Sequence, residues 1–187
     1  MFRKVFAVAG MLVLVSGLCA AAQNLLKNPD FEEVTSRQEI DDWSAMGGDV
    51  FETWDKEFHS ASYSVKFWWQ GRITQKVAAT PGSEYELSAW LSSPLSEPLE
   101  QNGNKFAKIR IDFLDKDLQV LETARSSKFD HKMEAGRWFE VKLRGIAPPN
   151  TAYAAAIFQF FPGEGKGVVL VDDLRLITLK EAKIKQR

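Results

Sequence analysis

Thr80-Pro81-Gly82-Ser83-Glu84-Tyr85-Glu86-Leu87-Ser88-Ala89-Trp90-Leu91-Ser92 is the stretch whose reading decides the fold. Pro81-Gly82 is a turn pair, and behind it Tyr85, Leu87, Ala89 and Leu91 alternate with Glu86, Ser88, Trp90 and Ser92. A period of two puts the apolar set on one face of a strand and the polar set on the other. Trp90 shares the polar side, so its ring is expected on an outer surface.

The same alternation recurs on both sides of this stretch. Tyr63, Val65 and Phe67 oppose Ser62, Ser64 and Lys66; Ile109, Ile111 and Phe113 oppose Lys108, Arg110 and Asp112; and Phe139, Val141 and Leu143 alternate before Pro148-Pro149-Asn150. Asp115-Lys116-Asp117 reads as the turn into a strand over residues 118–123. Residues 152–161 and 168–171 are apolar on both faces, as strands in the middle of packed layers or beside an occupied groove should be. Helical spacing shows only over residues 32–43. About nine or ten short strands, with no repeat and no linker, predict an all-β fold: one antiparallel β-sandwich of jelly-roll topology.

The composition agrees with a single domain. The 187 residues are 45% hydrophobic and 26% charged, which excludes a disordered chain, and the formal charge of −1 is too weak a field to recruit nucleic acid or anionic lipid. Arg3 and Lys4, the apolar run 5–18 and Ala20-Ala21-Ala22 have the layout of a secretory signal cut after Ala22. That expectation makes residues 1–22 a leader, 23–179 the sandwich and 180–187 a basic tail, and it places the protein outside the cytoplasm, secreted or periplasmic. Removing the leader leaves 22 basic against 25 acidic residues, a charge of −3. The apolar run is too short to span a bilayer comfortably, so no membrane insertion is expected. Cys19 is the only cysteine; Leu18 before it departs from the small residue that precedes a lipid-modified cysteine, and cleavage leaves no thiol for disulfides or cysteine chemistry.

Three stretches carry a resemblance. Asn24-Leu25-Leu26-Lys27-Asn28-Pro29-Asp30-Phe31-Glu32 resembles the opening strand of carbohydrate-binding modules of the 4/9 and 22 type, with Asp30 where those have glycine. Residues 77–90 resemble their central strand, and Val171-Asp172-Asp173-Leu174-Arg175-Leu176 resembles their closing strand. The resemblance implies a galactose-binding-like jelly roll that binds sugar. It also implies one structural calcium ion between the first and last strands, held by carboxylates at the positions of Glu32 and Asp172, with backbone carbonyls completing the six to eight oxygen ligands that calcium takes. Surface ion pairing is the alternative role for the same two carboxylates. By strand parity Asp173 faces away from Asp172 unless a bulge exchanges them.

Sugars present flat C–H faces and a rim of hydroxyls, so a site for an oligo- or polysaccharide needs exposed rings beside planar polar groups. The candidates are Trp54, Trp68, Trp69 and Trp90 for stacking, with Arg110, Asp112 and Gln159 for the hydroxyls. Of Trp68 and Trp69, adjacent on a strand, at most one can reach a common groove. Trp43 and Trp138 are expected in the core. Against these roles stand ordinary ones: core tryptophans, and a solvated Arg110–Asp112 ion pair. His59 and His131 have no metal-ligand spacing, and no nucleophile elbow or phosphate loop occurs. Glycosidase chemistry would need two carboxylates across a cleft, for which Glu86, Asp112 and Glu164 are available, and a lyase would want Tyr153 near Arg110 and Gln159. The leading expectation is a non-catalytic carbohydrate binder. A structural or protein-interaction sandwich of the cell envelope, marked by a flat apolar face, and a jelly-roll lyase or glycosidase remain the alternatives.

Overall fold

The computed structural model describes residues 22–47 and 51–182. Residues 1–21 of the expected leader, with Cys19, and residues 183–187 of the tail lie outside the described residues. The described residues form twelve strands and no helix: β1 (Val34–Ser36), β2 (Glu39–Ile40), β3 (Ser44–Met46), β4 (Phe51–Trp54), β5 (Ser64–Phe67), β6 (Gly71–Ala78), β7 (Glu84–Ser92), β8 (Phe106–Leu114), β9 (Val120–Arg125), β10 (Trp138–Ile146), β11 (Tyr153–Phe161) and β12 (Val169–Lys180). The weak helical spacing over 32–43 is instead the β1–β2 ribbon; Asn28 ties that segment together, its side chain bonding Glu33 and Asp41 backbone groups. The strand expected at 118–123 is shifted to β9, because Leu118 adopts a positive φ of 62° inside the turn. β12 reaches Lys180, one residue into the stretch assigned as tail.

Two five-stranded antiparallel sheets face each other. Sheet I has the order β10-β7-β12-β5-β4 and sheet II the order β3-β6-β11-β8-β9, the two-layer jelly-roll sandwich that the alternation predicted. Tyr85, Leu87, Ala89 and Leu91 of β7 all point into the core, with Val65, Phe67, Val171 and Leu176 from the same sheet. Sheet II returns Ile73, Ile109, Ile111, Phe113, Phe158 and Phe160. The layers touch through rings: Phe67 and Phe158 lie 4.9 Å apart between centroids and Tyr85 and Phe113 6.0 Å apart. Each such side chain stabilises the fold by about 1.5–3 kcal/mol when buried, and Tyr85 also satisfies its hydroxyl by accepting the Thr80 N–H. Trp43 joins this core as expected, tilted on Phe31 and donating its Nε1–H to the Asn28 carbonyl.

The opening stretch makes no strand of its own. It runs beside β12 through Leu25 N–H to the Leu176 carbonyl and Leu174 N–H to the Pro29 carbonyl, and Gln75 grips Lys27 from β6 through both its amide atoms. The first described residues are therefore pinned to the last strand.

Candidate functional site

Sheet II carries its functional side chains outward from β6, β11 and β8. In β11, Ala154, Ala156, Phe158 and Phe160 fill the core, which turns Tyr153, Ala155, Ile157, Gln159 and Phe161 outward. Register then fixes the neighbours: Gln159 lies between Arg72 of β6 and Lys108 of β8, Ile157 between Thr74 and Arg110, and Ala155 between Lys76 and Asp112. Arg110 bonds Asp112 at 3.1 Å, and Thr123 of β9 donates its hydroxyl to the same carboxylate at 2.8 Å. Phe106 and Phe161 stack at 4.5 Å at one end of the face, and Lys76 lies over the Tyr153 ring at the other.

At the Gln159 end the face deepens into a pocket of about 480 Å³ lined by Met46, Gly47, Trp69, Gln70, Gly71, Arg72 and Gln159. Trp69 is 51% exposed, a large apolar ring held in water, and Gly71 leaves room beside it by having no side chain. The Gln159 Oε1 and Arg110 Nε atoms are buried without a protein partner. A flat ring, a guanidinium and an amide within one small concavity can stack on an apolar face and exchange hydrogen bonds with hydroxyls around it.

Four of the seven residues expected to bind sugar, Trp69, Arg110, Asp112 and Gln159, share this face, and three do not. Trp68 turns the other way, into a second pocket of about 380 Å³ with Glu97, Glu100, Lys105 and Val168. There Lys105 Nζ donates to the Trp68 and Gly167 carbonyls at 3.3 Å, and burial pushes its pKa down against the opposing charge of Glu100. Trp54 lies on the outer face of sheet I, under the ammonium groups of Lys66 and Lys56 at 4.0 and 5.0 Å. Trp90 points outward as its parity required, but from β7, which belongs to sheet I, so the whole core separates it from Arg110, Asp112 and Gln159. Its ring is capped by His59, stacked at 3.9 Å and 13°. Trp138, expected in the core, also lies on this outer side, edge-on to His59 at 5.8 Å. Residues missed from the sequence are Arg72, Lys108 and Met46; the alternation of Arg72, Thr74 and Lys76 against Ile73, Gln75 and Val77 was the signal for the first.

The two carboxylates expected around calcium both hold the loop over residues 59–63. Glu32 Oε1 accepts the N–H groups of Ser62 and Tyr63 at 2.9 and 2.7 Å. Asp172 Oδ2 accepts those of His59 and Ser60 at 2.8 and 3.1 Å, and its Oδ1 accepts the Asp173 N–H at 2.7 Å. A bulge in β12 at Asp173, where φ is 48°, keeps both aspartates on the same side, so Asp173 binds His59 Nδ1 at 2.6 Å and the Ser60 hydroxyl at 2.7 Å. Asp172 is fully buried, and burial raises its pKa to about 7, with the Asp173 charge adding and the three N–H groups opposing. Calcium needs a shell of oxygens. In this structure N–H donors engage both oxygens of Asp172 and Oε1 of Glu32, and among the described residues no three His, Cys, Asp or Glu side chains converge on one point.

Two of the carboxylates named for a glycosidase, Glu86 and Asp112, lie on opposite sheets. Glu86 is paired with Arg144 at 2.8 Å on sheet I, whereas Asp112 is on sheet II. Tyr153 and Gln159 are six positions apart along β11, about 20 Å at 3.4 Å per residue, too far to address one reacting atom.

A scan against protein-family models finds no match, and neither does a search of curated proteins. Among solved structures the chain is similar to a xylan-binding domain, CBM22-1 of Paenibacillus barcinonensis Xyn10C, at 14% identity and a TM-score of 0.60 over 87% of this chain and 98% of that one. TmCBM61, solved with β-1,4-galactotriose, matches at 19% identity and 0.56, over 84% and 99% respectively. The enzymatically active domain of bacteriophage CBA120 tailspike protein 4 matches at 16% and 0.58, but this chain spans only 21% of its length. At these identities the likeness is one of fold: the two-sheet jelly-roll sandwich.

Proposed function

We propose that this chain is a non-catalytic binder of an oligo- or polysaccharide, which it holds on the outer face of sheet II. The observation that carries the reading is Trp69, half exposed beside Arg72 and Gln159 in a pocket of about 480 Å³. The ring supplies the stacking platform, Arg72 donates to hydroxyls, and the Gln159 amide fixes the orientation of the sugar. The fold supports the reading, because structures matched along nearly their whole length include TmCBM61 with β-1,4-galactotriose, a xylan-binding domain and a family 16 carbohydrate-binding module. The absence of a flat apolar surface on this face weighs against a purely structural sandwich, and the separation of Tyr153 from Gln159 weighs against a lyase. The N-terminal leader pattern makes the ligand an extracellular glycan.

Isothermal titration against β-1,4-galactan, xylan, β-glucan and mannan oligosaccharides tests it. Trp69→Ala should weaken binding by about 2 kcal/mol, roughly 30-fold, as truncation of a central stacking tryptophan does. No heat with any glycan, or an unaltered Kd in the variant, overturns the proposal.

A further inference from the structure

The outer face of sheet II is basic in a chain whose formal charge is −1. Arg72 and Lys76 of β6, Lys108 and Arg110 of β8 and Arg125 of β9 all point outward, against one strand carboxylate, Asp112, which Arg110 already engages. Among the described residues, Arg72, Lys76, Lys108 and Arg125 have no carboxylate within 4.0 Å. Sheet I is built differently: Arg144 pairs with Glu86, Lys142 with Glu140 and Lys66 with Glu97.

The arrangement costs stability. Arg110 stands directly across from Arg125 on the neighbouring strand, a like-charge pair that destabilises a sheet, and Lys108 is only two positions from Arg110. A face with no ligand gains nothing from that repulsion. An anion laid along it would offset the cost.

The spacing of the cations matches an elongated anion. In the central strand β11 the outward side chains are short, Ala155 and Ile157, and at 4% and 3% exposure they lie beneath the longer cationic side chains that flank them. Arg72 and Lys76 stand on one side of that strand and Lys108 and Arg110 on the other, with backbones about 10 Å apart across two strand spacings. The row of outward residues from Tyr153 to Gln159 leads at its Gln159 end to the Trp69 pocket. Guanidinium groups match a carboxylate or sulfate through paired N–H donors, which a neutral sugar does not exploit.

We infer that the ligand of this face is an anionic polysaccharide, carboxylated or sulfated, laid along β11 across the two rows of cations; the inference rests on the sugar-binding role proposed above and names its substrate class. Affinity electrophoresis and titration calorimetry with polygalacturonate, carrageenan, neutral β-1,4-galactan, neutral xylan and a single-stranded DNA oligonucleotide test it, at about 20 mM and about 500 mM NaCl, above and below a Debye length of roughly 10 Å. One or both charged glycans should bind more tightly than the neutral ones, and their affinity should fall about tenfold or more at high salt. Comparing polygalacturonate with carrageenan tells carboxylate from sulfate. Lys108→Glu with Arg125→Glu should weaken charged-glycan binding by about tenfold or more. If that pair does not fold, Lys76→Gln with Arg125→Gln, both at exposed positions, should give a smaller loss in the same direction. Tighter binding of galactan or xylan, indifferent to salt and to the charge variants, overturns the inference and leaves the sugar-binding role standing. Failure of all four glycans removes that role as well. Equal affinity for the oligonucleotide overturns the assignment of the face to a glycan.

Discussion

The loop clasp at Asp172 makes a prediction whose sign separates two physical pictures. Asp172→Asn keeps the shape and removes the charge. The carboxyl has three backbone N–H groups aimed at it, from His59, Ser60 and Asp173. An asparagine oxygen can serve one side, but its amide nitrogen cannot accept on the other, and one orphaned donor costs about 1–3 kcal/mol. A protonated carboxyl avoids that loss, since its hydroxyl oxygen still accepts. The wild-type group has its folded-state pKa raised from 3.8 to about 7, chiefly by burial. Between those values the folded chain binds more protons than the unfolded one, so this group's contribution is fully present below the unfolded value and is lost as pH rises through the folded one. The loss amounts to roughly 4 kcal/mol over the window, at about 1.4 kcal/mol per pH unit. The variant has no such dependence. At pH 4 to 5 it should therefore melt below wild type, by roughly 2–10 °C for a domain of this size, and the gap should close or reverse by pH 8. Urea denaturation followed by tryptophan fluorescence, run on both proteins from pH 4 to 8, measures it. A gap that widens with pH would refute the reasoning, because it would mean that the N–H cluster, or a bound cation, favours the anion more than burial disfavours it.

Glu32→Ala strips the acceptor from the Ser62 and Tyr63 N–H groups, and chemical denaturation should show a loss of about 1–3 kcal/mol. An excess of chelator should leave the wild-type melting temperature unchanged, since five N–H groups already serve Glu32 and Asp172; a fall of several degrees would support the calcium expectation. Trp90→Ala removes the ring on which His59 stacks at 3.9 Å, so it should lower stability by about 2–4 kcal/mol in a thermal melt while leaving the Kd for glycan unaltered; a weakened Kd would put the sugar on sheet I. Gly167→Ala would set a Cβ 2.5 Å from the Pro98 carbonyl oxygen at a φ of 109°, where side chains are strained. It should cost about 1–3 kcal/mol by denaturation, and a neutral result would mean that the loop beside Trp68 is free to move.

What the sequence disclosed and what it withheld divide along one physical line. Side-chain parity is local: it depends only on the pleat of a single strand, so Trp90, Arg110 and Asp112 could each be assigned an outward direction from their neighbours alone, whereas Gln159 lies in a stretch apolar on both faces. Which sheet a strand joins is not local. It is decided by pairings such as Trp90 with Glu140 and Asp172 on one side of the core and Gln159 with Arg72 and Lys108 on the other, between residues many tens of positions apart. A sandwich has two outer faces, and alternation does not distinguish them, which is why one expected groove resolved into two surfaces separated by the core. The carboxylates of Glu32 and Asp172 were found by resemblance, yet their chemistry depended on what the loop 59–63 presents to them. That loop presents N–H groups, a fact of backbone direction that no residue type encodes. The basic face was hidden for a related reason. Net charge sums over the whole chain, and only the register that sets Arg110 opposite Arg125, with Gln159 between Arg72 and Lys108, shows that cations gather on one face while the carboxylates that balance them lie elsewhere.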